Sequence, residues 1–307
     1  MTRYIGGRIA ASVPVLLGVS IIVFVIMRLL PGDPIIIMFG EQATSAEVIE
    51  RLRAEYGLND PIPVQYIRFL GAALTGDFGR SIRTSAPVLS SIAEQFPRTL
   101  ELTAAAMVVA MAIGLPAGVL AAITRHGPVD YTLMSMALFG VATPPFWLGL
   151  MLVLLFAVNL RWLPTSGQGD LAHLVLPALT LGAAAAGLIA RITRSALLDI
   201  LARDYVRTAY AKGLARPVVI VRHALKNALI PVITVVGLQF GQLLAGAVVV
   251  EIVFARQGIG FLVVNAMLKR DFPVAQGVIL FSAVVYVFVN LAIDIIYAYA
   301  DPRIRLS

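Results

Sequence analysis

The chain of 307 residues has no cysteine, only three histidines, and a charged share of 13%. The lack of cysteine excludes a disulfide framework and any thiolate metal site. A soluble domain carries roughly 25% charged residues. The shortfall here, beside 59% hydrophobic residues and a mean hydropathy of +0.90, predicts an integral membrane protein. In a soluble protein a pI near 10.0 would point to nucleic acid. In a membrane protein it reflects arginines of cytoplasmic loops, so no nucleic-acid partner is expected. Catalytic patterns are missing as well. A P-loop needs a lysine directly after glycine so that backbone amides cradle phosphate. Lys212, Lys226 and Lys269 follow Ala211, Leu225 and Leu268 instead. His126, His173 and His223 lie far apart without metal-ligand spacing, and there is no Gly-x-Ser-x-Gly elbow. The chain is therefore not expected to be an enzyme, and no cofactor or metal is expected in it.

What the sequence has in abundance is long apolar runs. Residues 9–27, 102–124, 131–160, 171–190, 228–250 and 272–293 contain no Asp, Glu, Lys or Arg. Each is near or above the roughly 20 residues a helix needs to cross a bilayer. The expected fold is an all-α membrane protein of six transmembrane helices. The first run exceeds a signal-peptide core and is followed by Arg28 and Pro31-Gly32-Asp33, so it reads as a retained span. With both termini inside, the inner segments hold Arg3, Arg8, Arg125, eight basic residues from Arg191 to Lys226, Arg303 and Arg305. The short outer loops then hold only Arg161, Arg256, Lys269 and Arg270. The positive-inside rule favours that N-in, C-in orientation.

This organisation divides the chain into residues 1–30 (N-terminus and first span), 31–98 (a helical insertion on the outer side) and 99–307 (the transmembrane core, including a loop at 191–227). In the insertion, Thr44 with Glu47 makes a capping box, with Val48 and Leu52 at helical spacing and Gly57 as the stop. Val64, Ile67 and Leu70 suggest a second helix ending near Gly76, and Ser85 before Ala86-Pro87 suggests a third through Phe96. The insertion reads either as a cap on the spans or as a docking surface.

Residues 191–226 carry eight basic residues and two acids, Asp199 and Asp204, a net +6 in a chain of net +7. Each charge at mid-membrane costs about 2.5–3.5 kcal/mol, so this segment is expected outside lipid. Leu197, Leu198, Leu201 and Tyr205 recur at helical spacing, Gly213 is placed to end a helix, and Pro217 to start one. The pattern predicts a helix–turn–helix. It reads either as a basic loop touching anionic membrane lipid or as a docking site for a partner. In the fifth run Gly237, Gly241 and Ala245 form a small-residue stripe, and Ala178, Gly182 and Ala186 form another in the fourth. Gln239 and Gln242, at i and i+3, are expected to share an inward face, either as packing or along a wet path. Pro144-Pro145 implies a kink in the third run. The span centres lack ionisable groups, which argues against ion-coupled transport. An ion-coupled secondary carrier and a non-transporting scaffold nonetheless stay open on composition alone.

Landmarks along the whole length resemble one family: LLPGDP at 29–34, YGLNDPIPVQY at 56–66, GDFGRS at 76–81, ATPPFWLG at 142–149, WLPTSG at 162–167, DYVRTAYAKGL at 204–214, RHALKNALIP at 222–231 and GLQFGQLLAGAVVVEIVF at 237–254. Together they resemble permease subunits of bacterial ABC importers of the dipeptide/oligopeptide/nickel group, B-type. The stretch 207–213 is similar to the front of the family's Glu-Ala-Ala-x3-Gly loop, with Arg207 at the acid position and a longer arm from Gly213 to Pro231. The resemblance implies an ATPase-coupling surface of Asp204, Arg207, Thr208, Ala209, Lys212, Gly213 and Leu214. In it, Ala209 and Gly213 would allow close seating, and Arg207 and Lys212 would make polar contacts. It also implies a translocation path that includes Gln239, Gln242, Gly237 and Gly241. The implied partners are a homologous second permease, two ATP-binding subunits that hold ATP and Mg, and a periplasmic or lipid-anchored solute-binding protein. The implied location is the bacterial inner membrane. The implied cargo is a di- or oligopeptide or a glutathione-like peptide, with nickel or a metal chelate as the alternative.

Overall fold

The computed structural model describes residues 2–29, 46–55 and 59–300. Thr44 of the capping box, Gly57, residues 30–34 of LLPGDP, residues 56–58, Arg303 and Arg305 lie outside the described residues. The described chain is helical, and its one β-type pairing is the isolated bridge between Arg80 and Pro87. The helices are α1 (Thr2–Leu29), α2 (Ala46–Glu55), α3 (Ile62–Leu74), α4 (Val88–Ile123), α5 (Pro128–Ala142), α6 (Pro145–Asn159), α7 (Ala172–Leu201), α8 (Asp204–Ala211), α9 (Arg216–Val253), α10 (Ile259–Leu268) and α11 (Phe272–Ala300). Among the described residues α1, α4, α7, α9 and α11 each contain a stretch long and apolar enough to cross a membrane. A sixth span results if α5 and α6 are counted as one.

The third apolar run is not one straight helix. α5 and α6 meet at 110°. Thr143 is extended because a residue before proline is pushed out of the helical region, and Pro144 is extended too. Pro145 then opens α6, since its fixed φ suits a first turn. The expected kink is thus a break that turns the chain through more than a right angle.

The third short helix expected in the insertion is continuous with the second span. α4 starts at Val88 and runs unbroken to Ile123. Pro97 forfeits one backbone hydrogen bond, and the Arg98–Glu94 pair, 3.5 Å apart, bridges the turn around it. α3 ends where expected. Gly76, at φ +82, donates its amide to the Ala73 carbonyl, and Asp77 donates to Ala72.

Two compact units are present. The first comprises Thr99–Gln257 with the chain from Val289 onward, and α7 is its central helix. Leu102, Ala106, Leu176, Leu181, Ile189, Leu243, Ala247 and Phe254 form its core. α7 lies unusually close to α4. A Cβ added to Gly182 would sit 2.5 Å from the Ala106 carbonyl oxygen, and one added to Gly118 would sit 2.5 Å from that of Ala190. Small residues permit this backbone approach, which in lipid replaces hydrophobic burial as the source of helix association. Ala178, Gly182 and Ala186 are all buried, so the stripe read in the fourth run faces the core.

The second unit comprises Thr2–Arg98 and Gly258–Phe288. Val88, Ile92, Ile259, Ala275 and Val278 make its core, and Phe96 and Phe281 stack edge to face at 5.1 Å. α1 is pinned to α3 through Ser20 and Tyr66, whose hydroxyls are 2.8 Å apart, and through Phe24 against Tyr66 and Phe69.

Gly182→Ala is expected to destabilise the protein by about 1–3 kcal/mol, the typical cost of overpacking. It would be read as a lower unfolding temperature in detergent. Gly167→Ala is strained by φ +97 but meets no atom within 4 Å, so any loss it shows measures backbone strain without the packing clash.

Candidate functional site

The basic segment is an elbow between two long helices. α7 continues well past its apolar window to Leu201, and α9 begins at Arg216 with a π-helical stretch, Val219–Leu225, ahead of its apolar run. Between them stands α8. Arg203 precedes it in extended conformation, and Asp204 sits in its first turn, where a negative charge complements the helix dipole. Its end is a Schellman reversal. Gly213, at φ +79, donates to the Tyr210 carbonyl at 2.9 Å, and Leu214 donates to Ala209 at 3.4 Å. No neighbouring atom crowds the position. Glycine is needed there for the left-handed backbone rather than for space.

α8 has two faces. Val206 and Ala209 are buried against Val219, Ile200 and Leu201. Asp204, Arg207, Thr208, Lys212, Gly213 and Leu214 are exposed, with Tyr205 and Tyr210 beside them. Ala209 is therefore not on the free surface, as close seating against a partner would require. It seats α8 on the chain's own α7 and α9. The Asp204–Arg207 pair is 3.9 Å apart and almost fully exposed, so it contributes little rigidity. Arg207 and Lys212 are both solvent-exposed.

Sequence spacing missed three ties that hold this elbow. Tyr205, which recurs at helical spacing with Leu201, is exposed, and its hydroxyl accepts from the Asn227 side-chain amide at 2.9 Å. Arg216 donates to the Ile123 carbonyl at 3.0 Å. The guanidinium thereby satisfies an orphan carbonyl at the α4 C-terminus, where the dipole favours a cation. Arg194 on α7 makes a fork to Asp130 in the first turn of α5, at 2.6 and 2.7 Å, and the His126 amide adds a third bond at 3.0 Å. Asp130 is buried and Arg194 half-buried. No spacing rule could pair residues so far apart in sequence. The one signal was an acid within the third apolar run's approach, just after Pro128.

At the other ends of α4 and α9 a second polar group is buried. Thr99 donates to Glu251 at 2.6 Å, and Arg256 pairs with Glu101 and gives its amide to the Glu251 carbonyl at 2.8 Å. His173 lies 2.9 Å from Asp170 in the loop before α7 and holds that carboxyl below the ordinary carboxylate range.

The two glutamines do not share an environment. Gln239 is buried on the stripe of Val232, Leu243 and Ala247, while Gln242 is exposed. Gly241 is buried, Gly237 is half-buried, and a Cβ on Gly237 would meet Ile293 at 2.8 Å. Helical rotation of about 300° over three residues moves position 242 off the face that 239 occupies. The expected common inward face is corrected to one packed amide and one open amide.

The family described as binding-protein-dependent transport system inner membrane component matches residues 114–306, and its N-terminal companion matches residues 1–103. The chain belongs to this family. It is 43% identical over 305 residues to the glutathione transport system permease protein GsiC of Escherichia coli, covering 99% of both chains. The same figures hold for the protein of that name in Salmonella paratyphi A. The inward-facing MetNI methionine ABC transporter shares the fold with a TM-score of 0.60 at 20% identity, covering 68% of this chain and 96% of that chain. An amino acid ABC transporter has a TM-score of 0.54 at 13% identity, covering 68% and 94%. The chain is thus a multi-pass ABC transporter permease, a type of subunit that works with other ABC subunits and is not itself an enzyme.

Arg194→Met leaves the buried Asp130 carboxylate without its cation. Breaking a buried pair costs about 3–5 kcal/mol, and the partial exposure of Arg194 puts the expected loss near the lower end. Thermal unfolding in detergent checks it. The double variant Asp130→Asn with Arg194→Gln should recover most of the loss, because the charge is then gone.

Proposed function

We propose that the chain is one of two permease halves of an ATP-driven importer of small peptides of the glutathione type, moved by a separate ATPase that grips α8. The cargo reading rests on the near full-length identity to the glutathione permeases. The coupling reading rests on one observation above the others: α8 is anchored by Val206 and Ala209 and turned by Gly213, and it projects Arg207, Thr208, Lys212 and Leu214 outward. A helix held on its inner face and free on its outer face can transmit a push. In this reading two ATPase subunits bind ATP and Mg, close on each other, and carry α8 with them. A second, homologous permease completes the path, and an external solute-binding protein delivers the peptide. Placement in the bacterial inner membrane follows, with α8 on the cytoplasmic side.

Gly213→Trp forces a bulky residue into a left-handed conformation that costs roughly 1–2 kcal/mol and misdirects the elbow. Uptake of labelled glutathione by cells expressing the complete transporter should fall to background while membrane insertion stays normal. Uptake at the wild-type rate would sink the coupling role. Uptake driven by an ion gradient in vesicles without ATP would sink the importer reading itself.

Gln242→Leu is expected to raise KM or shift peptide preference, because Gln242 is the open amide. Gln239→Leu should alter stability more than transport. Identical, unchanged kinetics for both would remove these glutamines from the path.

A further inference from the structure

The second unit contains a pocket of about 290 Å³, lined by the apolar Leu262, Ala266 and Val274 and by polar groups that include Arg83, Thr84, Ser91, Asn265, Lys269 and Asp271. Two interlocked turns build it. In one, the Ser81 hydroxyl donates to Asp271 Oδ2 at 2.5 Å and accepts from the amides of Arg83 and Thr84 at 3.2 and 3.0 Å. The Ile82 amide donates to Asp271 Oδ1 at 3.1 Å. In the other, α10 ends in a Schellman reversal with Arg270 at φ 56, and Asp271 gives its amide to the Ala266 carbonyl at 2.8 Å. A side-chain-bearing residue seldom adopts that φ. Holding it there delivers Asp271 to Ser81, and both residues are buried.

The result is an asymmetric charge arrangement. Both carboxylate oxygens of Asp271 are engaged by neutral donors. Arg83 and Lys269 are exposed at the pocket, and among the described residues no carboxylate lies within ion-pair distance of either. Two cations against one acid leave the pocket net positive. The hydroxyls of Thr84 and Ser91 are further hydrogen-bonding groups, while the Asn265 amide already donates to the Phe261 carbonyl at 2.8 Å. A guanidinium fork beside an ammonium is the chemistry that recognises a carboxylate. The volume is at the low end for ligand pockets and suits the end of a peptide rather than a whole one.

We propose that this pocket is an anion site that takes the carboxylate of a small peptide, with Arg83 and Lys269 as its ligating cations and the Ser81–Asp271 contact as its frame. That the peptide is transported cargo rests on the function proposed above; the binding itself does not. The test uses the full chain in its membrane complex, in phosphatidylcholine nanodiscs, with no ATP and no added external binding protein. Trialanine and its C-terminal amide are titrated and followed by NMR or calorimetry. Trialanine should bind about tenfold or more tighter than the amide, as expected for charge-assisted hydrogen bonds. Arg83→Gln with Lys269→Gln should abolish that preference without moving the unfolding temperature, since both side chains are exposed and unpaired. Equal binding of acid and amide overturns the proposal, as does a preference that survives in the double variant. Loss of trialanine binding when phosphatidylglycerol replaces phosphatidylcholine would assign the site to a lipid phosphate and overturn the peptide reading. Because no turnover is read, a chain that imports no peptide can still pass this test, and a working importer can fail it.

Discussion

The first unit depends on α7 lying against α4 with almost nothing between their backbones. The Ala106 and Ala190 carbonyl oxygens occupy the space where side chains of Gly182 and Gly118 would be. In lipid there is no hydrophobic gain from bringing two apolar helices together, so association rests on close van der Waals fit. That fit fixes α7 over its apolar length and so sets the direction of its extension beyond the apolar run. The extension carries Arg194, which clamps α5, and Leu197, Ile200 and Leu201, against which the elbow packs. The position of α8 is therefore set by glycines several turns away.

Charge placement is the second constraint and works in the opposite sense. Apolar faces need only fit, whereas each charge must leave lipid or find a partner. Asp130 and Arg194 pair with each other, Arg216 caps α4, and Tyr205 ties to Asn227. These bonds converge on the elbow from α4, α5, α7 and α9. The hydrophobic contact under α8 is small, little more than Val206, Ala209 and Val219. Alone it would hold one short helix weakly. The polar ties around it add bonds from α4, α5 and α9 to that small contact.

The sequence was most legible where a single physical rule acts over a long stretch. Apolar run length placed the spans, and the density of charge between Arg191 and Lys226 placed the elbow, with Gly213 as its turn. Legibility failed where tertiary partners decide. α4 absorbed the expected third short helix because a helix tolerates Pro97 when nothing else stops it. The third apolar run broke at 110° because Thr143 and Pro144 stay extended, and a proline pair alone does not fix how far a chain turns. Ala209 read as a seat for a partner because a family motif records residue type and not direction; the structure turns it inward. Gln239 and Gln242 read as one face, but a three-residue step leaves an angle wide enough to straddle the edge between packed and open sides.

The elbow's geometry also bears on Arg207, which stands at the acid position of the motif that this stretch resembles. On the inner face of α8 such a change would bury a cation and cost several kcal/mol. Arg207 is instead about four-fifths exposed, with only the distant, solvated Asp204 beside it. The fold is therefore indifferent to the sign of charge at 207. The residues of the motif thus divide by position: Val206, Ala209 and Gly213 keep α8 in place, and Arg207, Thr208, Lys212 and Leu214 stand exposed.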